Sequence, residues 1–325
     1  MLLELTHETV FEYAEPVTEA YMEFRLTPLS DSKQHVLQHR QSVTPARAIR
    51  QYTDAYGNVV NYFNLLDPHT RVEVRFDSVV ETHADCLRGD ALDARHLNTA
   101  VGRVNLHDYL QPTPLTAWSS EFLEFARPFE SLRGSAPQDA ARTLCGELNI
   151  RFRYEGEVTS VSSPITDMLR MGGGVCQDFA HLMLATCRYL GIAARYASGY
   201  VLPEDGTEVS ASHAWVEVFD PEQGWFGVDP THNQTAGDRY VYLGIGRDFQ
   251  DVPPNRGIFR GQSEESMHIR VHLKPISSDD LGRRAREVYT QRRPVPSMPR
   301  QTRRPEALSL MEQVQTAQQQ QQQQQ

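Results

Sequence analysis

The fold of this chain is decided by the stretch GGGVCQDFAHLMLATCRYLG, residues 172–191. From Cys176 onward, its apolar residues cover nearly the whole circumference of a helix, which is typical of a helix buried on all sides. Gly191 follows the last periodic residue, as a glycine at a helix C-terminus does. The stretch therefore predicts a central buried helix that begins at Cys176, directly after three glycines.

Helices are predicted before this stretch and strands after it. The two helix candidates have apolar residues spaced by three and four, and they are LTAWSSEFLEFARPF (115–129) and PQDAARTLCGELNI (137–150). The three strand candidates are IAARYASGYVL (192–202), ASHAWVEVF (211–219) and GWFGVD (224–229). A buried helix packed against such strands predicts an α+β domain over residues 111–275.

The ends of the chain have a different character. From Leu2 to about Thr82, short runs rich in Val, Phe, Tyr and Thr alternate with turn signals, which predicts an antiparallel β-sandwich domain over residues 1–84. Residues 85–110 show little periodicity, and we expect them to form a linker. The segment 283–325 is rich in Arg, Pro and Gln, and this composition predicts a disordered tail.

Composition excludes several classes of protein. The formal net charge of −10 argues against a nucleic-acid partner, because phosphate binding depends on clustered Lys and Arg. No CxxC or HExxH spacing occurs, so we predict neither a metal site nor a cofactor. The sequence contains no run of about 18 apolar residues, so we predict no membrane-spanning helix. Glu4 and Glu8 interrupt the first residues where a signal peptide is apolar, so we expect a cytoplasmic protein.

Cys176 is the candidate nucleophile. The start of a helix, with its unpaired N–H groups and positive dipole end, favours the thiolate form of a cysteine, and the preceding glycines leave room for a substrate. A buried structural cysteine is the alternative at this position. Cys187 lies almost on the same face of the helix but far from its start, and we interpret it, with Cys86 and Cys145, as structural.

His213 and Asp229 are candidate partners of this thiol. His213 lies in a strand whose two faces both look covered, so its ring needs hydrogen-bonding partners. The next strand ends at Asp229, and a carboxylate there can accept a hydrogen bond from Nδ1–H of His213 and orient the ring. The alternatives are a hydrogen-bonded core histidine and an aspartate that stabilises the turn before Pro230.

The chain resembles the transglutaminase-like superfamily in three blocks that occur in order, GGGVCQDFAHLMLATCRYLGIAARYASGYV, HAWVEVF and GWFGVDPTHN. The resemblance covers roughly residues 110–250, and the N-terminal β region resembles the sandwich domain that precedes this core in many bacterial members. It implies a papain-like core in which Cys176, His213 and Asp229 form a catalytic triad. The implied reaction is attack of the thiolate on an amide carbonyl of a peptide or protein substrate, through a thioester.

Other site residues follow with less support from the sequence. Animal members of the superfamily use the indole N–H of an upstream Trp as an oxyanion donor, and this chain has no Trp between Trp118 and Cys176. Tyr154 is the predicted substitute, with packing as its alternative role. Trp215 and Asp178 are candidates for the substrate cleft, although a strand Trp is often core and Asp178 could instead cap the helix.

Three outcomes remain open at the level of sequence. Hydrolysis of the thioester is the leading one, which would make the protein a cysteine protease, amidase or isopeptidase. Transfer of the acyl group to an amine, as a protein-glutamine gamma-glutamyltransferase does, shares every step up to the thioester. A non-catalytic binding or scaffolding protein is the third. The sequence leaves the oligomeric state unknown. It also leaves open whether His232 and Asn233 lie at the edge of the active-site pocket or simply form a turn.

Overall fold

The structure, a computed structural model, describes residues 1–84, 106–156, 159–204, 209 and 211–281. The predicted tail at 283–325 and most of the predicted linker lie outside these ranges. The first five strands are β1 (Leu2–Phe24), β2 (Gln34–Thr44), β3 (Arg50–Thr53), β4 (Val59–Leu65) and β5 (His69–Thr82). Alternate side chains at the start of β1 are buried, Leu3 and Leu5 among them, as expected for a strand with one covered face.

The helices follow in the second part of the chain. They are α1 (Ser120–Ala126), α2 (Pro137–Arg151), α3 (Ile165–Met171) and α4 (Cys176–Tyr189), with short 3-10 turns at Asp108–Leu110, Pro114–Thr116, Arg127–Leu132 and Phe249–Asp251. Pro137 occupies the first turn of α2, and Gly191 after α4 has a φ of 84°. Both helix boundaries follow from the sequence, because Pro lacks an N–H and Gly tolerates the left-handed conformation.

The later strands complete two sheets. They are β6 (Arg153–Tyr154), β7 (Gly173–Gly174), β8 (Ala194–Val201), β9 (His213–Asp220), β10 (Gly224–Asp229), β11 (Gln234–Thr235), β12 (Tyr240–Gly246), β13 (Asn255–Arg260) and β14 (Glu265–Pro275). The second sheet has the order β11-β10-β9-β8-β12, and its pairs are antiparallel. Helix α4 packs on β8 and β9, so the α+β class is confirmed.

The first sheet is antiparallel, as predicted, and has the order β2-β5-β1-β4-β3. The long strand β1 changes partners along its length: residues 2–12 pair with β5, and residues 20–24 pair with β4. The ring of Phe24 near the end of β1 contacts Phe63 of β4 and Phe76 of β5, so one core joins both parts of this sheet.

The predicted domain boundary at residue 275 needs a correction, because β13 and β14 pair with β1 and lie in the first sheet. The N-terminal sheet is thus completed by residues 255–275, from the far end of the predicted α+β domain. Local sequence could not reveal this, since the exposed pattern of β14 is compatible with an edge position in either sheet. Residues 1–277 form one compact unit.

A buried ion cluster connects the two sheets. Glu217 of β9 is fully buried, and its carboxylate accepts hydrogen bonds from Lys33 of the first sheet's β1–β2 connection and from Arg195 of β8, the latter at 2.7 Å between Nε and Oε2. Burial raises the pKa of Glu217, but the two cations outweigh it and lower the pKa to about 2.

In the part of the chain that the structure describes, no helix is long and apolar enough to cross a membrane.

Strand β14 should contribute to the stability of the N-terminal sheet. Leu273→Ala should lower the free energy of unfolding by about 2–3 kcal/mol, because it leaves a cavity in the buried core. Met267→Ala in the same strand is the matched control, since Met267 is 44% exposed, and it should cost roughly 0.5 kcal/mol or less. Urea unfolding followed by circular dichroism measures both, and equal effects would contradict this placement of β14.

Candidate active site

The start of α4 is held by a side chain from its own first turn. Asp178 accepts a hydrogen bond from the backbone N–H of Val175 at 2.8 Å and from the hydroxyl of Thr159 at 2.6 Å. Gly174 is required next to this contact, because an added Cβ would lie 2.6 Å from a carboxylate oxygen of Asp178. The first turn of α4 is therefore locked onto the segment around Thr159, with Cys176 as the first helical residue.

Asp178 lies at this cap and is almost fully buried, so its predicted place in the substrate cleft is wrong. Burial raises the pKa of the Asp178 carboxyl, and the hydrogen bonds from Thr159 and Val175 oppose that effect. From the sequence, Asp178 could either cap the helix or line the substrate cleft. The tertiary structure decides for the cap, because Thr159 donates a hydrogen bond to the carboxylate and covers it from solvent.

His213 begins β9 and brings its ring between the thiol and the carboxylate. Its Nε2 lies 2.7 Å from Oδ2 of Asp229, and Cys176 lies close enough to the ring to raise the pKa of His213. Because Nε2 faces Asp229, Nδ1 is the nitrogen available to the sulfur. The structure thus brings together the three predicted residues. It also corrects the predicted ring orientation, which had placed Nδ1 against Asp229, since strand position alone does not fix the rotation of an imidazole.

Asp229 ends β10, which pairs with β9, and it is fully buried. Its Oδ1 accepts the backbone N–H groups of Thr231 and His232, at 2.9 and 3.3 Å. Its Oδ2 accepts hydrogen bonds from the hydroxyl of Tyr240 at 2.7 Å and from Nδ1 of His232 at 2.8 Å, in addition to the one from His213. A buried carboxylate requires such partners, because an unpaired buried charge is costly.

Electrostatics favour an ion pair within this group. Burial lowers the pKa of His213, but the hydrogen bond to Asp229 and the interactions with Asp229 and Cys176 outweigh it and raise the pKa to about 10. Burial likewise raises the pKa of Asp229, and His213 and His232 together hold it far below its ordinary value. These partners therefore favour the imidazolium form of His213, whose ring lies between the Asp229 carboxylate and the Cys176 thiol.

Trp215 was predicted to line the cleft, and this prediction is wrong, because the side chain is fully buried. The rings of Trp215 and His213 lie next to each other, with centroids 6.2 Å apart and planes nearly parallel. The Trp215 ring also contacts the rings of Tyr240 and Tyr242. Residues on one face of a strand alternate, so Trp215 supports His213 from the same face of β9. Its role is packing beneath the site.

Tyr154 lies at the surface near the thiol. It is 64% exposed in β6, and the pairing of β6 with Gly173 and Gly174 places it beside the start of α4. Burial of its hydroxyl and the charge of Cys176 raise the pKa of Tyr154. The position is compatible with the predicted oxyanion role, which stays a prediction.

The other described cysteines have no such surroundings. Cys145 and Cys187 are buried, and burial raises the pKa of each thiol to about 12, so both are core residues. Cys86 lies outside the described residues. Tyr240 is a further contributor to the site that the sequence did not indicate, because β12 comes close to Asp229 only in the folded chain.

The side chains of His213, Asp229 and His232 also approach one another in the manner of metal ligands, with candidate ligand atoms within 4.8 Å. All three already share hydrogen bonds at Oδ2 of Asp229. These hydrogen bonds account for the proximity of the three side chains without an ion. Two imidazoles and a carboxylate are also the groups that a proton-transfer site uses. The absence of a metal stays a prediction.

Comparisons with known proteins agree with this geometry. Residues 3–81 match the bacterial transglutaminase-like N-terminal region, and residues 128–230 match the transglutaminase-like superfamily. An uncharacterised protein of Mycobacterium tuberculosis is 33% identical over 299 residues, which cover 85% of this chain and 94% of the relative. The chain belongs to the transglutaminase-like superfamily.

Two further similarities concern activity and fold. A protein-glutamine gamma-glutamyltransferase of Pseudomonas aeruginosa is 32% identical over 128 residues, 34% of this chain and 18% of that enzyme. The crystal structure of a candidate cysteine protease from Cytophaga hutchinsonii has a TM-score of 0.65 at 19% identity, covering 85% of this chain and 92% of that one. The latter similarity establishes the fold.

The charge state of His213 can be measured directly. Its ring should remain an imidazolium at neutral pH and titrate near 10, and Asp229→Asn should lower that midpoint by about one unit or more, because a neutral amide replaces the charge. Since the folded state holds this proton more tightly, the associated stabilisation is complete below about pH 6.5 and is lost as the pH rises toward 10. Nitrogen-15 NMR of histidine-labelled protein measures the titration.

His7 provides an internal reference for that experiment. Burial lowers the pKa of His7 to about 4, so its ring should be neutral at the pH where His213 is charged. A His213 ring that is neutral at pH 7 would contradict the ion pair.

The cap at Asp178 can be tested separately. Asp178→Ala should lower the free energy of unfolding by about 1–2 kcal/mol, because Val175 N–H and the Thr159 hydroxyl lose their acceptor. Asp178→Asn keeps an acceptor oxygen and should retain most of the stability. Chemical denaturation distinguishes the two, and an Ala variant as stable as the wild type would contradict the capping role.

Proposed function

We propose that Cys176 is the nucleophile of an acyl-transfer reaction on amide bonds of peptides or proteins, and that water is the final acceptor. The observation that carries this proposal is the hydrogen bond from His213 to the buried Asp229, with the ring of His213 close to Cys176 at the start of α4. A thiol needs a base and a favourable electric field to become a nucleophile at neutral pH, and this arrangement supplies both.

In the first half-reaction, the Cys176 thiolate attacks the carbonyl carbon and a sulfur–carbon bond forms. The oxygen becomes negatively charged, and the backbone N–H of Cys176 is the proposed donor, since the first N–H groups of a helix lack partners within the helix. The carbon–nitrogen bond then breaks, and Nδ1–H of His213 protonates the departing amine. The product is a thioester on Cys176.

In the second half-reaction, His213 is neutral and acts as a base. Its Nδ1 removes a proton from water as the water oxygen bonds to the thioester carbon, and the sulfur departs as thiolate. The acid leaves, and the thiolate–imidazolium pair is restored. Asp229 stabilises the positive ring at the start and end of the cycle, which is the role of a buried carboxylate in such triads.

Amine transfer is the second candidate, because a primary amine can replace water in the second half-reaction. The similarity to the gamma-glutamyltransferase of Pseudomonas aeruginosa favours this outcome for glutamine side chains. In both cases the partner is a peptide or protein that carries an amide. A scaffolding role would leave the triad without activity, and a cytoplasmic location stays a prediction from sequence.

Selective alkylation tests whether Cys176 is activated. At about pH 6.5 an ordinary thiol is only about 1% thiolate, so Cys176 in the wild type should react with iodoacetamide about tenfold or more faster than in His213→Ala. His272→Ala is the matched control, since His272 is an exposed residue of β14 far along the chain from the site. Peptide mapping by mass spectrometry assigns the modified cysteine and separates Cys176 from Cys86.

Substrate mixtures then separate the candidate functions. Glutamine-containing peptides with and without a primary amine, analysed by mass spectrometry, reveal backbone cleavage, deamidation or amine incorporation, and Cys176→Ala should abolish each. Amine incorporation in place of cleavage would favour the transferase. Equal alkylation rates in the wild type and His213→Ala would contradict catalysis and favour the scaffolding protein.

A further inference from the structure

A second histidine contacts the same carboxylate oxygen as His213. Nδ1 of His232 lies 2.8 Å from Oδ2 of Asp229, and the ring centroids of His232 and His213 are 4.8 Å apart. The two histidines differ in exposure: the His213 side chain is 12% exposed and that of His232 is 50% exposed. His232 therefore reaches from the surface to a carboxylate that is itself fully buried.

The turn that carries His232 is fixed by several independent contacts. The backbone N–H groups of Thr231 and His232 donate to Oδ1 of Asp229. The side-chain amide of Asn149 in α2 donates to the carbonyl of Thr231 at 2.8 Å. Asn233 adopts a φ of 51°, a conformation that Asn tolerates better than most residues, and this turns the chain toward β11. These contacts fix the backbone of the turn on both sides of His232.

We propose that His232 is a positioning residue of the active site, whose Nδ1–H holds Oδ2 of Asp229 in the orientation that keeps His213 directed at Cys176. This inference rests on the proposed function, because it assigns a role within the same triad. His232 acts through Asp229 and His213 and need not contact the substrate.

The physical basis is the cost of a buried carboxylate. A hydrogen bond to a charged group contributes more than one between neutral groups, and each donor to Oδ2 restricts the rotation of the carboxylate. Burial raises the pKa of Asp229, and His232 is among the groups that lower it again, so His232 also helps to keep Asp229 ionised. The hydroxyl of Tyr240 also donates a hydrogen bond to Oδ2 of Asp229, so loss of His232 alone should weaken the site and not abolish it.

Three variants of His232 test the hydrogen bond as such. His232→Asn retains a side-chain N–H near the position of Nδ1, His232→Phe retains a ring without the donor, and His232→Ala removes both. The Ala and Phe variants should alkylate at Cys176 about three- to tenfold more slowly than the wild type at about pH 6.5, as expected for one lost hydrogen bond to a charged group. The Asn variant should recover at least half of the wild-type rate, which a purely structural role of the ring would not produce.

Each outcome bears on one proposal. Urea unfolding of every variant establishes that the compared proteins are folded to the same extent. If the wild type exceeds His213→Ala tenfold while His232→Ala matches the wild type, the role of His232 is overturned and the proposed function stands. A Phe variant as reactive as the wild type also overturns it. If the wild type and His213→Ala react equally, the proposed function fails independently of His232.

Discussion

The site depends on one buried negative charge. Asp229 is fully withdrawn from solvent, and its two oxygens are satisfied by two backbone N–H groups, two imidazoles and one phenol. A carboxylate in such a position is tolerable only when its partners are fixed, because the free energy of an unpaired buried charge exceeds that of most single interactions in a protein. The surrounding strands, helix and turn can therefore be understood as the framework that keeps these donors in place.

This framework comes from three parts of the α+β region. Antiparallel pairing of β9 and β10 brings the start of one strand beside the end of the other, which places His213 next to Asp229. Helix α4 packs against β9 and presents its first residue, Cys176, to the ring. Trp215 fills the space behind His213 and restricts the ring to that position. The geometry of the site is therefore determined by packing as much as by the identity of the three residues.

The N-terminal sheet is connected to the same strand that carries His213. Glu217 lies four residues after His213 in β9 and binds Lys33 from the first sheet. His7 of β1 hydrogen-bonds to Tyr200 of β8, and Tyr200 belongs to the core of the first sheet. These polar contacts and a shared apolar core connect the second sheet to the N-terminal one.

Local sequence was sufficient to predict the helix at Cys176, the strands that carry His213 and Asp229, and the α+β class. Hydrophobic periodicity, Pro137 and Gly191 are local signals, because burial and backbone sterics act on each of them directly. Tertiary structure alone decided the rest. It placed β14 in the first sheet, buried Asp178 and Trp215, turned Nε2 of His213 toward Asp229, and brought Tyr240 and His232 to the same oxygen. Side-chain rotation and strand partners depend on residues that are distant along the chain, and local spacing carries no information about them.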